Sequence, residues 1–530
     1  MKKKMIVLTL VATMIATTLT GCGSDAQTGN DDVETRIQET VAQETENAEE
    51  YCETGRSFLY GTGENEIDFE AAYTNFERAK ELGNTDANFY LGLLCSWYGY
   101  PQRDYEAAKA YYEACGENPY AQINLAFLYL FGQGVEEDKE KAKEMFQTVI
   151  DLGFVEGYLG TAYIAKYDED YTTALDYFNK VLEGTEQAYV SSAMYNIGRM
   201  YYRGDGVEQD YALAMEWHKK AAELGDSDAM NDVGYMYSNG EGVEQDYTLG
   251  MEWLEKAAVL GSSRAMNNLG YMYSNGEGVE QDYTKAMEWY KKAAEAGDSN
   301  AMYHVGNLYY TGNGVEQSYV QAMEWYKKAA EEGSTSAMRS IAYMYEGGNG
   351  VEQSYDQALE WQEKAAEAGD TNAMNTIGHM YYNGIFGEEN CIKALEWYEK
   401  AVEEGDSHAA CYIGNMYYFG NGAETNYGKA MEWYEKGVAA GDSDAIRMIG
   451  LMYYHGDGVK QDYAKAIEWF EKSAEAGNTV AMNNLGIIYA NGNGVERDYN
   501  KSLEWFEKAI ELGDEKAKEN AEYVRGLLTK

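Results

Sequence analysis

The 530-residue chain has only two prolines, Pro101 and Pro119, beside 56 glycines. So little proline excludes collagen-like and proline-rich linker architectures, and the glycine excess suits many helices that each end on a left-handed residue. Positive charge is scarce as well: 42 Lys and Arg stand against 90 Asp and Glu, a net charge of −48. A field of that sign argues against a nucleic-acid backbone as partner. Cysteine is limited to six residues, without the CxxC or Cys/His spacing of a zinc site. Aromatic residues are plentiful, with 50 Tyr and 10 Trp, which is too much burial-prone material for a disordered acidic chain.

Lys2, Lys3 and Lys4 precede an apolar stretch from Met5 to Leu19. Residues 1–21 therefore read as a secretory signal, its apolar part too short for a membrane span. Leu19-Thr20-Gly21-Cys22 resembles the lipobox of bacterial lipoproteins. That resemblance implies cleavage before Cys22, acylation of its thiol, and a place in the cell envelope on the outer face of the cell membrane. The acidic chain is repelled by anionic headgroups, so contact with the membrane is expected through the lipid anchor only. Residues 22–47 are mostly small, polar and acidic, and read as a flexible tether. Cys52, Cys95, Cys115, Cys391 and Cys411 remain, an odd number that leaves at least one free thiol or an intermolecular bond. Cys95 and Cys115 fall on the two antiparallel helices of one hairpin, which leaves a disulfide between them open.

Trp217, Trp253, Trp289, Trp325, Trp361, Trp397, Trp433, Trp469 and Trp505 recur at a constant interval of 36, each after a Glu, and Gly204 through Gly492 keep the same interval. A fixed period of this size means stacked supersecondary units. The unit Asp298 to Gly333 shows the logic. Asp298 and Ser299 are N-cap candidates for a helix A with Ala301, Val305, Leu308 and Tyr309 on one face. Gly312-Asn313-Gly314-Val315 breaks it. Ser318 and Gln321 have capping-box spacing before a helix B carrying Tyr319, Ala322, Met323, Tyr326 and Ala330, closed by Gly333, with Glu324 and Lys328 paired at i, i+4. The Glu-Trp tryptophan is expected inside, so Trp289→Ala should cost about 3–5 kcal/mol. A glycine at the middle of helix A, such as Gly270 or Gly306, costs about 1 kcal/mol against Ala, and Ala342 in the same slot shows that the site wants a small residue. The division is thus about four divergent repeats over 48–187, nine regular repeats over 188–513, and a last helix over 514–530 covering the open end with Ala517, Ala521, Val524 and Leu527.

The run Ala265-Met266-Asn267-Asn268-Leu269-Gly270 through Trp289 to Gly297 closely resembles the Sel-one-like repeat (SLR) family, related to the tetratricopeptide repeats. The resemblance implies an all-α, right-handed α-solenoid of helix-turn-helix repeats, and a scaffold or adaptor role rather than an enzyme. Some secreted relatives are described as binding or hydrolysing β-lactams, but they carry two Cys in each repeat, a pattern this chain lacks. A β-lactam hydrolase is one alternative.

Positions that vary between repeats are free to serve a ligand. In helix A they fall at i, i+4 and i+7 and form one stripe: Tyr195, Arg199, Tyr202; Tyr235; Tyr271; Tyr303, Asn307, Tyr310; Arg339, Tyr343; His379, Tyr382; Asn415, Tyr418; Arg447, Tyr454. By resemblance to related solenoids helix A lines the concave wall, so the stripe is expected to bind a protein or peptide, Tyr and Arg being the usual anchors. The competing expectation is that these Tyr fill grooves between helices. A cell-wall carbohydrate binder using the same aromatics is a further alternative. His218, His304, His379, His408 and His455 sit at unrelated phases, so no metal, cofactor or catalytic residue is predicted.

Overall fold

The computed structural model describes residues 47–62, 67–96, 103–386, 390–406 and 408–528. The expected signal segment, the lipidation candidate Cys22 and all but the end of the expected tether lie outside them. Among the described residues the regular structure is entirely helical, and no helix is long and apolar enough to cross a membrane. The chain divides into two compact units, Met1–Ala301 and Met302–Lys530, and in each of them helical hairpins stack one on the next.

In the first unit a typical hairpin pairs Ser227–Asn239 (helix A) with Tyr247–Val259 (helix B). Asp246 starts helix B, its carboxylate accepting from Leu249 N at 3.0 Å, and Gly240 stops helix A at φ +72°, its N–H donating to Met236 O. These caps satisfy backbone groups that the helix ends would otherwise leave unpaired. The divergent region keeps the same plan: Tyr158–Tyr167 packs on Tyr171–Val181 although its turn is a non-glycine left-handed residue, Glu169.

In the second unit Ser318 caps Tyr319–Glu331 through Gln321 N at 3.3 Å. Only half of the expected capping box forms, because the Gln321 amide turns forward to Glu324 Oε2 at 2.9 Å. The expected Glu324–Lys328 pair is missing too. Lys328 Nζ lies over the Trp325 ring, 4.4 Å from its centroid. The same contact recurs at every Glu-Trp tryptophan, from Trp217 with Lys220 to Trp505 with Lys508. The ring contact and the i, i+4 pair are compatible, since Lys364 lies over Trp361 and also pairs with Glu360 at 3.0 Å.

The tryptophans are half-buried rather than internal. Trp469 leans on the hairpin before it, against a cluster of Ala430, Tyr434, Ala445 and Met448. Full burial belongs to the next residue along helix B: Tyr326, Tyr398, Tyr434, Phe470 and Phe506 are at most 2% exposed. That ring explains the mid-helix glycine. A Cβ on Gly414 would meet Tyr434 Cε1 at 2.5 Å, and one on Gly486 would meet Phe506 Cε1 at 2.4 Å. The close-crossing helix is the helix B of the same hairpin. Where Ala342 replaces glycine, its counterpart is Gln362, not a ring.

The helix Glu515–Leu528 buries Ala517, Ala521 and Val524 against Leu485, Phe506 and Ala509. The thiols of the five cysteines among the described residues are free. Cys95 ends one helix beside the start of the next, its carbonyl accepting from Asp104 N, whereas Cys115 lies past the far end of Tyr105–Ala114. Ten helical residues span about 15 Å, well beyond disulfide reach. Burial pushes both thiols up to about 11. Where Phe386 takes the place of the turn's second glycine, helix A stops one residue early, at Tyr382, and Phe386 packs on Tyr381 at 5.3 Å. Asn390 precedes Cys391–Glu403 without a side-chain cap.

Candidate functional site

The helix A stripe separates into three kinds of residue. The i+7 tyrosines are clasps between repeats. Tyr202 donates to Glu241 Oε2 at 2.8 Å in the first unit. In the second, Tyr310 accepts from Asn349 Nδ2 at 3.0 Å, Tyr382 accepts from Asn421 Nδ2 at 2.8 Å, Tyr418 donates to Asp457, and Tyr454 accepts from Asn493. In every case the partner follows the first glycine of the next hairpin's turn. A second group braces its own hairpin or its neighbour: Asn307 and Asn415 accept from Tyr326 and Tyr434 at 2.7 and 2.8 Å, and His379 Nδ1 lies 3.0 Å from Tyr398 Oη. Arg339 pairs with Asp370, Arg447 with Asp444, and Tyr303 packs on Tyr326. The third group faces solvent. Tyr235, Tyr271 and Tyr343 occupy one register and are 45, 47 and 54% exposed.

The first unit gathers several stripe residues around a cleft of about 340 Å³: Arg199, Tyr202 and Tyr235, joined by Arg203, His218, Asn231, Asp232, Arg264, Asn267 and Asn268. Its acids are already occupied. Asp232 Oδ1 pairs with Arg264 Nη2 at 2.9 Å, and Asp298 caps the following helix through Ala301 N at 2.8 Å. Arg264 also reaches Asp228 and the Tyr195 hydroxyl. Arg199 stacks over the Tyr195 ring at 5.7 Å. Among the described residues, neither Arg199 nor Arg203 has an ion-pair or hydrogen-bond partner. Lys166, whose Nζ donates to Asn196 Oδ1 at 3.2 Å, stands close to both. Burial, reinforced by Arg199 and Arg203, depresses its pKa to about 8. His218 is 1% exposed, and burial holds it near 4, so the ring is neutral at pH 7.

A second cleft, of about 650 Å³, opens in the divergent hairpins of the same unit, lined by Tyr60, Phe89, Tyr90, Tyr120, Phe127, Phe131, Tyr163 and Tyr189 with Arg56, Asp86 and Glu186 at its polar points. Tyr120 and Tyr189 stack at 5.8 Å, and Tyr163 accepts from Asn196 Nδ2 at 2.8 Å, which places this aromatic wall beside Lys166. In the second unit, Asn307, Tyr310 and Tyr343 line a groove of about 480 Å³ with Glu346.

Reading one helix face at a time misses Arg203, His218 and Arg264 of this cleft, and Lys166 near it, because the cleft is closed by neighbouring helices and not by one stripe. A signal was nonetheless present: His218 replaces the buried ring that follows most of the tryptophans, and Arg264 introduces a cation before an Ala-Met pair. The histidines stay dispersed; His408 Nδ1, for example, lies 2.8 Å from Asp442 Oδ2. Among the described residues no group of three His, Cys, Asp or Glu converges as a metal site.

The profile of the Sel1 repeat matches at 51–84, 85–114, 119–154, 191–226, 227–262, 263–298, 299–334, 335–370, 371–406, 407–442, 443–478 and 479–514. The chain is 31% identical to a protective antigen of uropathogenic Escherichia coli strains displaying an SLR fold, over 92% of this chain and 90% of that one, with a TM-score of 0.46. It is 30% identical to a Sel1 repeat protein from Oxalobacter formigenes, over 47% of this chain and 100% of that one, at a TM-score of 0.41. No curated protein matches. With twelve repeats matched along most of its length, the chain belongs to the Sel1 repeat family.

Proposed function

We propose that this protein is an extracytoplasmic scaffold, tethered to the membrane by acyl groups on Cys22, that holds a protein or peptide partner on the exposed part of its helix A stripe and performs no chemistry of its own. The observation that carries the binding reading is the repetition of an exposed tyrosine at one register of successive helices A in the first unit, Tyr235 and Tyr271, with Tyr343 at the same register within the second. Aromatic side chains left in water at a fixed spacing are suited to anchor a partner. Sel1 repeats, as members of a tetratricopeptide-related class of scaffolds, support the same role.

The test is capture in the native cells. The full chain and its Tyr235→Ala/Tyr271→Ala variant are cross-linked in place and the captured species identified. Loss of a specific protein partner with an unchanged melting temperature supports the reading; capture of wall polymer in place of protein would favour a carbohydrate binder. For the anchor, Cys22→Ala should abolish incorporation of a labelled fatty acid and release the protein from the membrane fraction. If the variant stays labelled and membrane-bound, the lipid assignment is wrong.

A further inference from the structure

We infer that the cleft around Arg199 in the first unit recognises the acidic end or an acidic side chain of a peptide, with Arg199 and Arg203 receiving a carboxylate and Asn267 receiving a peptide N–H. This deepens the scaffold reading and rests on it.

Three observations converge. The first is charge. In a chain of net charge −48, Arg199 and Arg203 lie one helical turn apart on one face and stand close enough to Lys166 to help lower its pKa, against the nearby Asp205, and the two arginines lack an ion-pair or hydrogen-bond partner among the described residues. Guanidinium groups satisfy a carboxylate with paired N–H donors, and an arginine at a cleft wall without such a partner leaves that capacity unused.

The second is unmet hydrogen bonding. Among the described residues five buried side-chain polar atoms have no hydrogen-bond partner, and two of them, His218 Nδ1 and Asn267 Oδ1, belong to residues lining this one cleft. A buried polar atom without a partner costs about 1–3 kcal/mol. His218 Nδ1 is packed against Gly198, so Asn267 Oδ1 is the atom at which a ligand in the cleft recovers free energy. Asn267 Oδ1 is an acceptor, which calls for an N–H. A peptide offers a carboxylate and an N–H within one residue of each other, whereas an inorganic anion offers acceptors alone.

The third is that the acids of the cleft already have contact partners. Asp232 is held by Arg264 and Asp298 by a helix N-terminus, so neither forms a contact pair with Arg199 or Arg203. Their presence still limits the tolerable charge, which favours a singly charged carboxylate over a dianionic phosphate. At 0.15 M salt, screening over about 8 Å weakens the repulsion from distant acids while contact pairs in the cleft persist.

The experiment uses the full chain at 0.15 M salt on an array of random 12-residue peptides with free C-termini, next to amidated copies in which Asp and Glu are replaced by Asn and Gln. The expected result is retention of peptides carrying a carboxylate at one fixed position, at least tenfold above their amide copies. Arg199→Gln and Arg203→Gln should each reduce that retention at least fivefold. Arg497→Gln, in an exposed turn of the second unit, should leave it unchanged. Acetate should compete at least as well as inorganic phosphate at equal concentration. Equal retention of acidic and amide peptides, no retained peptide at all, full retention by both arginine variants, or displacement by phosphate far below the acetate concentration would each overturn the inference. Cellular capture that survives both arginine substitutions but fails in Tyr235→Ala/Tyr271→Ala would sink this inference and leave the scaffold standing. Loss of capture in neither would count against both.

Discussion

Gly306 lies so close to the Tyr326 ring that a Cβ on it would meet Cδ1 and Cε1 at 2.6 Å. The glycine forgoes about 1 kcal/mol of helix propensity, and the ring it admits is buried at 2% exposure. The trade recurs at Gly270 with Tyr290, Gly378 with Tyr398 and Gly450 with Phe470.

Gly306→Ala should therefore destabilise the protein by about 1–3 kcal/mol, the usual cost of overpacking, despite its better helix propensity. Ala342→Gly, opposite Gln362, should cost only about 1 kcal/mol. Urea midpoints of the two variants should move by clearly different amounts. Equal shifts would mean that the ring does not enforce the glycine.

The tryptophans are half-buried, so Trp289→Ala should cost less than the 3–5 kcal/mol of a fully buried indole, about 2 kcal/mol by area. Lys292→Met, which removes the ammonium 4.2 Å from that ring, should cost about 0.5–1 kcal/mol and lose its effect in high salt. Chemical denaturation at two salt concentrations separates these contributions. A Lys292→Met loss that is the same in both would remove the charge explanation.

The Tyr310–Asn349 clasp predicts that Tyr310→Phe loosens the junction of two hairpins by about 0.5–1.5 kcal/mol. Hydrogen exchange should quicken at the turn near Gly348 before it does in the flanking helices. A global rise, or none, would show that the hydroxyl bond is not what ties the repeats. Changing Tyr303, Asn307 and Tyr310 together consequently perturbs packing, and reports on stability as much as on any partner.

His218 contributes a pH dependence of known sign. Burial lowers it from 6.5 to about 4, so between these values the unfolded chain binds the proton more strongly. The stability of the neutral ring is complete above about pH 6.5 and is lost as pH falls toward 4. Asp226, raised by burial from 3.8 to about 6, acts in the opposite direction over an overlapping range. Replacing the histidine isolates its part: relative to His218→Phe, the wild type should lose stability between pH 7 and pH 4.5. A difference independent of pH would mean that the imidazole is solvated.

The helix–turn–helix plan was legible because it is local. Apolar spacing, Asp or Ser before each helix and glycine after it are chosen within one turn of chain, and Asp246, Ser318 and Gly240 act where the pattern placed them. The small-residue demand at Gly306 was legible too, although the residue imposing it lies twenty positions away. The capping box at Gln321 was misread because a side-chain amide has more than one local partner, whereas the Glu–Lys pair that is missing at Glu324–Lys328 forms at Glu360–Lys364, so i, i+4 spacing permits the pair without requiring it.

The stripe marks the limit of such reading. Periodicity determined by itself which residues of helix A share a face, and which repeat positions vary. Only the packing of one hairpin on the next decided that Tyr202, Tyr310, Tyr382, Tyr418 and Tyr454 are clasps while Tyr235, Tyr271 and Tyr343 stay in water. It likewise decided that Arg199 and Arg203 from one helix and His218 from the next meet around one cleft, with Lys166 close to the two arginines. Periodicity records direction along one helix, whereas the partner of a side chain is set by the distance between helices, a quantity no single repeat contains.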